Sequence, residues 1–354
     1  MSPRPTRMLE IPVLRDLMER LLRASGCPDD SAAIAADVFL EADIRGIPQQ
    51  GLDHMYTMLE DLRLGRVDPK GRPRIVRERD AAALVDGGRG PGQVAAVLAC
   101  DIAMEKASRA GSAAVGVSGA GDIFMIGFYA ERIARRGLVG FAFSDAPPKV
   151  HPFGGTGRVL GTNPFAIGIP TADGRPFLLD MATSAWAASL VRHALYHGEQ
   201  IPDGIAVGPD GRPTRDPAVA TQGAIGNFAG AKGFGLSLCV GIFSGILTGC
   251  TTGPGLKGWL AHEPGEAGRK GHFFIAVNPA AFGDVGAFQK AASRYLKDVE
   301  AAKRAPHASE IRIPGARTFM ERERRVKEGR VQVYEAVWQR TAKFAAGLGV
   351  AMPA

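Results

Sequence analysis

Aromatic residues and cysteines are scarce in this sequence of 354 residues. Aromatics make up 7% of the chain, so we expect a core built mainly from Ala, Val, Leu and Ile. The cysteines are Cys27, Cys100, Cys239 and Cys250. They form no CxxC pair, and none is spaced with histidines as zinc ligands are. The sequence therefore predicts no metal site and favours buried free thiols of a reducing compartment.

Long hydrophobic runs and dense basic patches are also missing. The longest apolar stretch, residues 234–247, is interrupted by Gly and Ser and is too short to span a bilayer. The N-terminal segment is amphipathic and has no apolar signal core. The net charge of +7 is mild, and no basic patch is interleaved with aromatics. We expect a cytoplasmic protein without a membrane or nucleic-acid partner; the surplus charge fits either a small anionic ligand or a solvated surface.

Ordinary globular composition and abundant turn residues are what the sequence does have. Hydrophobic residues make up 45% and charged residues 22%, and the 46 glycines and 24 prolines favour many tight turns. Apolar spacing predicts helices over residues 8–45, interrupted at Gly26-Cys27-Pro28, and over residues 52–64. Short alternating or apolar runs predict strands at 74–76, 83–87, 113–117, 139–143, 178–180 and 273–277. Further helices are predicted at 93–109, 127–136, 187–197, 232–247, 287–303, 320–329 and 331–348, with the helix at 232–247 buried on most sides.

Three short motifs suit a bound ligand. Residues 115–121 run from a strand into a Gly-rich turn, which can approach a phosphate. This turn lacks the third glycine of the dinucleotide fingerprint and its acidic partner, so a simple loop is the alternative. Leu179-Asp-Met-Ala-Thr-Ser184 places a carboxylate and hydroxyls at a strand exit. Gly230-Ala-Lys-Gly-Phe-Gly235 opens a helix with a lysine among glycines, which suits an anion.

The order of such motifs along the chain resembles one known family. The series is Asp43-Ile-Arg-Gly-Ile-Pro-Gln-Gln-Gly51, His151-Pro-Phe-Gly-Gly155, Leu160-Gly-Thr-Asn-Pro164, Leu179-Asp-Met-Ala-Thr-Ser184, Ile201-Pro-Asp-Gly204, Gly211-Arg-Pro-Thr-Arg-Asp-Pro217, Lys232-Gly-Phe-Gly-Leu236 and Ile313-Pro-Gly315. It resembles the malate/L-lactate dehydrogenase type 2 family over roughly residues 8–350. That family includes sulfolactate, ureidoglycolate and diketogulonate dehydrogenases and Δ1-piperideine-2-carboxylate reductases.

The resemblance implies a fold and a class of reaction. It implies an α/β, L-sulfolactate-dehydrogenase-like fold with a non-Rossmann NAD(P)-binding domain over residues 125–300. A helical N-terminal region, 1–75, would pack with a C-terminal region, 305–354, and residues 76–124 would connect them. It also implies a homodimer that uses NADPH or NADH. Such a protein reduces small 2-oxo or cyclic imino acids or oxidises the matching 2-hydroxy acids.

This chain departs from the family pattern at the family's catalytic and carboxylate-binding positions. Relatives read Asp-Ser-His-Gly where this chain reads Pro48-Gln49-Gln50-Gly51, and the resemblance makes that His the proton donor and that Ser its polarising partner. Gln50 cannot shuttle a proton, but its amide can donate a hydrogen bond. His54 occupies a position where many relatives place a carboxylate-binding Arg. It lies one helical turn past Gln50 and, with an ordinary pKa near 6.5, is the first candidate for the proton donor. His151 is the second candidate, and a packing role for His54 is the alternative.

Other site positions are assigned by the same resemblance. The family's Asn-Ser-x-His-Phe-Gly stretch puts its His at Asp122, for which the alternative is a helix N-cap. The Ala-Arg-Gly that follows the strand motif becomes Ala187-Ala188-Ser189, and Pro-Gly-Glu becomes Pro314-Gly315-Ala316 followed by Arg317. The predicted catalytic set is His54, Gln50 and Gln49. The predicted substrate-binding set is His54, Thr162, Ala188, Ser189 and His151. The predicted cofactor-binding set is Asp122, Ile123, Phe124, Asp180, Met181, Ala182, Lys232, Gly315 and Arg317.

Two functions fit these observations. One is an NAD(P)H-dependent oxidoreductase with an altered substrate pocket, in which a substrate imine could arrive already protonated. The other is a protein that keeps the fold without hydride transfer, either a binding or regulatory protein or an enzyme of a different reaction. The retained cofactor motifs favour the first. With His54 and Ala188 at the family's Arg positions, we expect malate, lactate and sulfolactate to be poor substrates.

Overall fold

A computed structural model describes residues 5–256 and 270–353. The α-helices are α1 (Ile11–Ala24), α2 (Asp29–Ile44), α3 (Leu52–Arg63), α4 (Gly92–Ala110), α5 (Gly127–Ala134), α6 (Ala188–His197), α7 (Pro217–Gln222), α8 (Ala231–Gly241), α9 (Val285–Glu300), α10 (Ala316–Glu328) and α11 (Glu335–Gly347). The strands are β1 (Thr6–Glu10), β2 (Arg74–Arg79), β3 (Ala82–Asp86), β4 (Ser112–Ala120), β5 (Val139–Ser144), β6 (Phe165–Ile169), β7 (Phe177–Met181), β8 (Ala206–Val207), β9 (Pro213–Thr214), β10 (Ala224–Ile225), β11 (Lys270–Val277) and β12 (Arg330–Tyr334).

A seven-stranded mixed sheet forms the centre of the fold. Its strand order is β2-β3-β4-β11-β5-β6-β7, and all neighbours are antiparallel except β3 and β4. The strands are short apolar runs, and α4 and α5 cover them with small side chains such as Ala95, Ala99 and Ala130. Within the described residues this is not the parallel sheet of a Rossmann domain. The predicted mixed α/β class is confirmed.

A second hydrophobic core joins helices from the two ends of the described chain. The apolar stripe of α1, with Leu14, Leu17 and Leu21, packs in the same cluster as Val331 and Trp338. The strands β1 and β12 pair antiparallel beside it, with Thr6 opposite Tyr334. The predicted domain ranges also contain residues 1–4, 257–269 and 354, which lie outside the described residues.

Two predicted helices begin with residues that are strands in the structure. Residues 8–10 belong to β1, and residues 331–334 belong to β12. In β12 the side chains of Val331 and Val333 alternate into the core, and each strand provides the backbone partners that the other needs. A pairing between residues so far apart cannot be recognised from local spacing.

The predicted burial of the helix at 232–247 is wrong. Its α-helical part, α8, ends at Gly241, and residues 242–246 continue as one π-turn. Only a narrow face that includes Gly233, Ser237 and Val240 is buried. The opposite face is apolar yet exposed, and comprises Leu236, Leu238, Ile242, Phe243, Ile246 and Leu247. None of the described helices is both long enough and apolar enough to cross a membrane.

Candidate active site

The two ends of the Asp43–Gly51 motif meet and shape the turn between α2 and α3. The Asp43 carboxylate accepts a hydrogen bond from the Leu52 N–H at 2.8 Å. A methyl group on Gly51 would lie 2.2 Å from an Asp43 carboxylate oxygen, so only glycine fits there. Burial raises the pKa of Asp43 to about 7. This contact fixes the short 3₁₀ turn Pro48–Gln50 and sets its side chains beside the start of α3.

Gln50 and His54 form the hydrogen-bonded pair that their spacing predicts. His54 Nδ1 lies 3.0 Å from Gln50 Oε1. A carbonyl oxygen only accepts hydrogen bonds, so Nδ1 carries the proton and donates a hydrogen bond to Gln50 Oε1. In the neutral ring, Nε2 then keeps its lone pair. The half-buried pair can therefore accept a proton or a hydrogen bond through Nε2.

Phe124 forms one wall beside this pair. Its ring meets the His54 ring edge to face, with centroids 5.0 Å apart, and lies 4.6 Å from the Phe39 ring centroid. Its backbone has a φ of 58°, in the left-handed region that costs a bulky residue about 1–3 kcal/mol. The strained segment that holds Phe124 thus places an aromatic ring against His54.

Asp122 is an ion-pair partner rather than a helix cap. Helix α5 begins at Gly127, so the alternative prediction of an N-cap at Asp122 is wrong. The Asp122 carboxylate instead pairs with the Lys270 ammonium. Burial alone would raise the pKa of Asp122, but Lys270 holds it below the usual value. Two residues after Lys270, buried His272 contacts the Gly121 carbonyl through Nε2 at 2.9 Å.

Two cations that the sequence analysis did not select lie close to His54. Arg192 on α6 and Lys149, which follows β5, are both half-buried, and their charges act on the proton affinity of His54. Arg192 comes one helical turn after Ala188, a spacing that could have identified it. Lys149 comes two residues before His151, and only its placement in the fold reveals it.

The environment of His54 lowers its pKa, so the expectation of an ordinary pKa near 6.5 is wrong. Burial, followed by the charge of Arg192, lowers the pKa of His54 to about 3; Lys149 also lowers it, whereas Asp122 and Asp53 raise it. The ring is therefore neutral in the unliganded protein at pH 7. Burial and the nearby Lys270 and Arg192 charges lower the pKa of Lys149 to about 8, which leaves it mostly an ammonium at pH 7.

The strand-exit motif joins the segments predicted to bind cofactor. The Asp180 carboxylate accepts a hydrogen bond from the Gly127 N–H at 3.0 Å, and surrounding protein raises its pKa to about 6. Thr183 donates its N–H to the Thr162 carbonyl at 2.9 Å, and its own carbonyl accepts the Phe228 N–H at 3.1 Å. These bonds bring Met181 and Ala182, both partly exposed, into one region with the loop that opens α8.

The start of α8 has features that suit a nicotinamide nucleotide. Lys232 lies in the first turn and is exposed, and its ammonium makes no hydrogen bond or ion pair within the described residues. The neighbouring Gly230 has a φ of 60°. Two buried polar atoms, Asn227 Oδ1 in the loop before α8 and Ser189 Oγ on α6, also lack a partner in the described part of the chain. A free cation at a helix start and orphaned polar atoms fit a bound phosphate-containing ligand.

Other predicted residues lie in their own surroundings. His151 Nδ1 contacts the Pro152 carbonyl at 2.9 Å, and the His151 backbone bonds to Ile225 and Asn227. Gly315 packs against β7, where an added methyl group would lie 2.9 Å from the Leu178 carbonyl. Arg317 is exposed on α10. Ile123 is buried, whereas Gln49 and Ala188 are half-buried near one another, since α6 contacts the turn at 48–50.

Sequence comparisons connect this geometry to proteins of known activity. The family model for malate/L-lactate dehydrogenase matches residues 9–341. The L-sulfolactate dehydrogenase of Methanocaldococcus jannaschii is 36% identical over 301 residues, 85% of this chain and 86% of the relative. The (2R)-3-sulfolactate dehydrogenase (NADP(+)) of Chromohalobacter salexigens is 32% identical over 313 residues, 88% of this chain and 91% of the relative. The ureidoglycolate dehydrogenase (NAD(+)) of Escherichia coli is 29% identical over 327 residues, 92% of each chain.

Solved structures agree with the sequence comparison. The sulfolactate dehydrogenase from Methanocaldococcus jannaschii superposes with a TM-score of 0.88 at 32% identity, covering 98% of both chains. The Δ1-piperideine-2-carboxylate reductase from Pseudomonas syringae pv. tomato gives a TM-score of 0.86 at 28% identity, covering 96% of this chain and 100% of the other. The predicted L-sulfolactate-dehydrogenase-like fold is confirmed. This chain belongs to the malate/L-lactate dehydrogenase family, whose dehydrogenases use NAD or NADP.

Proposed function

We propose that the protein is an NAD(P)H-dependent oxidoreductase that transfers hydride to the C=O or C=N carbon of a small 2-oxo or cyclic imino acid. The observation that carries the proposal is the His54–Gln50 pair, flanked by the unpaired cations Lys149 and Arg192. A polar pair beside cations suits a carboxylate-bearing substrate whose carbonyl or imine must be polarised. By the family resemblance, Gln49 and Gln50 stand where relatives have Ser-His, so His54 would take over the role of that His.

A bound nicotinamide nucleotide would supply the hydride, and this chain's own residues would orient it. Lys232 and the strand end Asp180–Ala182 are the residues we propose to hold it, because Lys232 is a free cation at a helix start beside that segment. Phe124 and Ile123 lie in the segment between Asp122 and Gly127, whose N–H Asp180 holds. We propose NADH and NADPH as the two candidate nucleotides.

The proton has two candidate donors, His54 and Lys149. Gln50 holds His54 by Nδ1, which leaves Nε2 as the ring nitrogen that would give a proton to the substrate. His54 is neutral at pH 7 in the unliganded protein, so it must gain a proton after substrate binds. Lys149 has a pKa of about 8 and is already an ammonium at pH 7. We favour His54 because the Gln50 hydrogen bond fixes its orientation, whereas the Lys149 ammonium makes no hydrogen bond within the described residues.

The test is turnover by the purified protein with NADH or NADPH and a panel of 2-oxo and cyclic imino acids, followed at 340 nm. We expect reduction of at least one member of the panel. We expect His54→Gln to lower kcat about 100-fold, the scale for loss of a general acid. Lys149→Met is the matched comparison, since it removes the other donor. Absence of turnover with every panel member and both nucleotides would contradict the proposal, and would favour a binding protein that keeps this fold.

The assembly we propose is a homodimer. The apolar face of α8 and the π-turn, defined by Leu236, Leu238, Ile242, Phe243, Ile246 and Leu247, is exposed in the single chain. Contiguous exposed apolar surface on a folded chain marks an interaction site. We favour a second copy of this chain as the occupant, because the family resemblance implies a homodimer.

A further inference from the structure

We propose that Arg192 and Lys149 form the anion-binding site that receives a substrate carboxylate beside His54. The proposal rests on the function proposed above only for the identity of the anion as a substrate group. The site itself follows from the placement and pairing of the charges. It assigns specificity to two residues outside the motifs recognised in the sequence.

Both cations are half-buried and unpaired. Neither the Arg192 guanidinium nor the Lys149 ammonium makes a hydrogen bond or ion pair within residues 5–256 and 270–353. Buried or half-buried cations are normally paired, because taking the charge out of water without a partner costs free energy. By contrast, the nearby Arg45 and Arg340 pair with Glu131 and Asp53. These two exceptions therefore indicate a partner that the described residues do not supply.

Among the described residues, the carboxylates whose charges act on His54 are already engaged. Asp122 pairs with Lys270, and Asp53 pairs with Arg340. Neither is free to neutralise Arg192 or Lys149. An external carboxylate is the group that would complete this charge arrangement, since a guanidinium fork binds its two oxygens side by side.

The two cations come from separate, firmly held elements. Arg192 is carried by α6, which contacts the turn at 48–50 that bears Gln50. The backbone of Lys149 is held on both sides, since its N–H donates to the Leu160 carbonyl at 2.8 Å and its carbonyl accepts the Ile225 N–H at 2.8 Å. The charges of both act on His54, and each acts on the other. An anion between them would therefore lie next to the His54 ring.

Such an anion would also change the protonation of His54. The groups that surround this ring are Gln50, Asp53, Asp122, Lys149 and Arg192. A bound carboxylate would offset the two cations that disfavour the imidazolium, so the proton affinity of His54 would rise on binding. The substrate would then help to protonate the acid that acts on it.

Oxalate binding measured by calorimetry without nucleotide tests the site. We expect wild-type protein to bind oxalate, and Arg192→Met and Lys149→Met each to weaken binding about tenfold or more, the scale for one charge-assisted contact. Arg192→Lys should retain part of the affinity. Arg212→Met, an exposed loss of the same charge, is the control and should bind like wild type. Equal weakening by Arg212→Met, or no binding by wild type at millimolar oxalate, would overturn the proposal.

Proton NMR of the His54 ring provides a readout that a structural role would not move. Oxalate should raise the pH at which the His54 resonances titrate in wild type and should not do so in Arg192→Met. Thermal unfolding of each variant checks that it is folded. Oxalate binding with an unchanged His54 titration would place the anion elsewhere and overturn the proposal. If the protein binds oxalate but reduces no member of the substrate panel, the anion-binding site is supported and the proposed oxidoreductase function is contradicted.

Discussion

At the scale of single residues, buried charge decides how the site is built. Asp43 keeps its carboxyl in the core because the Leu52 N–H binds it and Gly51 leaves room for it. His54 loses its ordinary proton affinity to burial and to two cations. The pair Gln50 and His54 could be predicted from the sequence because a helical turn relates them. Arg192 could have been found from its spacing of one helical turn after Ala188, whereas Lys149 and Lys270 could not be predicted, because they lie far from these residues in the chain.

Asp43 gives a pH dependence of stability with a definite sign. Its folded-state pKa of about 7 lies above the model-peptide value of about 3.9, so the folded protein holds this proton more tightly than the unfolded chain. Its contribution is fully present below about pH 4 and is lost as the pH rises to about 7. We expect the free energy of unfolding of wild type, relative to Asp43→Asn, to fall by roughly 1 kcal/mol per pH unit over that range.

Urea denaturation of both proteins from pH 4 to pH 8 measures this difference. Asp37→Asn, a change at an exposed carboxylate on the same helix, is the control and should show no such slope. A difference between wild type and Asp43→Asn that stays constant with pH would show that Asp43 does not hold its proton in the folded state.

At the scale of elements, local spacing predicts helices well and strands at the chain ends poorly. The stripe Leu14, Leu17, Leu21 gives α1 directly, because a helix needs only its own residues. Strands β1 and β12 each need the other as a partner, more than three hundred residues away in the chain. Local periodicity does not detect this pairing and therefore assigns both segments to helices. In α8 small residues face the sheet and large apolar residues face outward. A helix with an exposed apolar face contains as many apolar residues as a buried helix, so a count of apolar positions cannot tell the two apart.

The start of α8 carries the prediction that belongs to this scale. Lys232→Ala should weaken NADPH or NADH binding about tenfold, because it removes a free cation from a helix start that we propose to hold the nucleotide phosphates. Quenching of protein fluorescence on titration with nucleotide measures the affinity. Lys290→Ala, the same charge loss on exposed α9, is the matched control. Equal affinities for wild type and Lys232→Ala would remove Lys232 from the cofactor site.

At the scale of the whole molecule, the exposed apolar face of α8 and the π-turn is the feature on which the proposed homodimer depends. Ile246 and Leu247 are 61% and 59% exposed, and they continue the apolar face of α8. Such a surface is costly to leave in water. A homodimer that covers it would also bring α8, with Lys232 at its start, close to the partner.

Light scattering of the purified protein at micromolar concentration tests this assembly. We expect wild type at twice the chain mass of 37.3 kDa and Ile246→Lys shifted toward the single-chain mass, because a buried ammonium opposes the contact. Tyr295→Lys, a change at an exposed aromatic residue on α9, should leave the mass unchanged. A wild type at the single-chain mass, or a folded Ile246→Lys still at twice that mass, would disprove this interface.

The pairing of β1 with β12 has a consequence for how the protein matures on the ribosome. Thr6 is translated early, whereas its partner Tyr334 appears only after nearly all of the other described residues. Until then α1 lacks Val331 and Trp338, which complete its core. Nascent chains that display such apolar surface aggregate or recruit chaperones, and pairings this distant form slowly. The helices that carry Gln50 and His54 are thus synthesised first and completed last, so a chain whose translation stops before residue 330 would leave this half of the site unfinished.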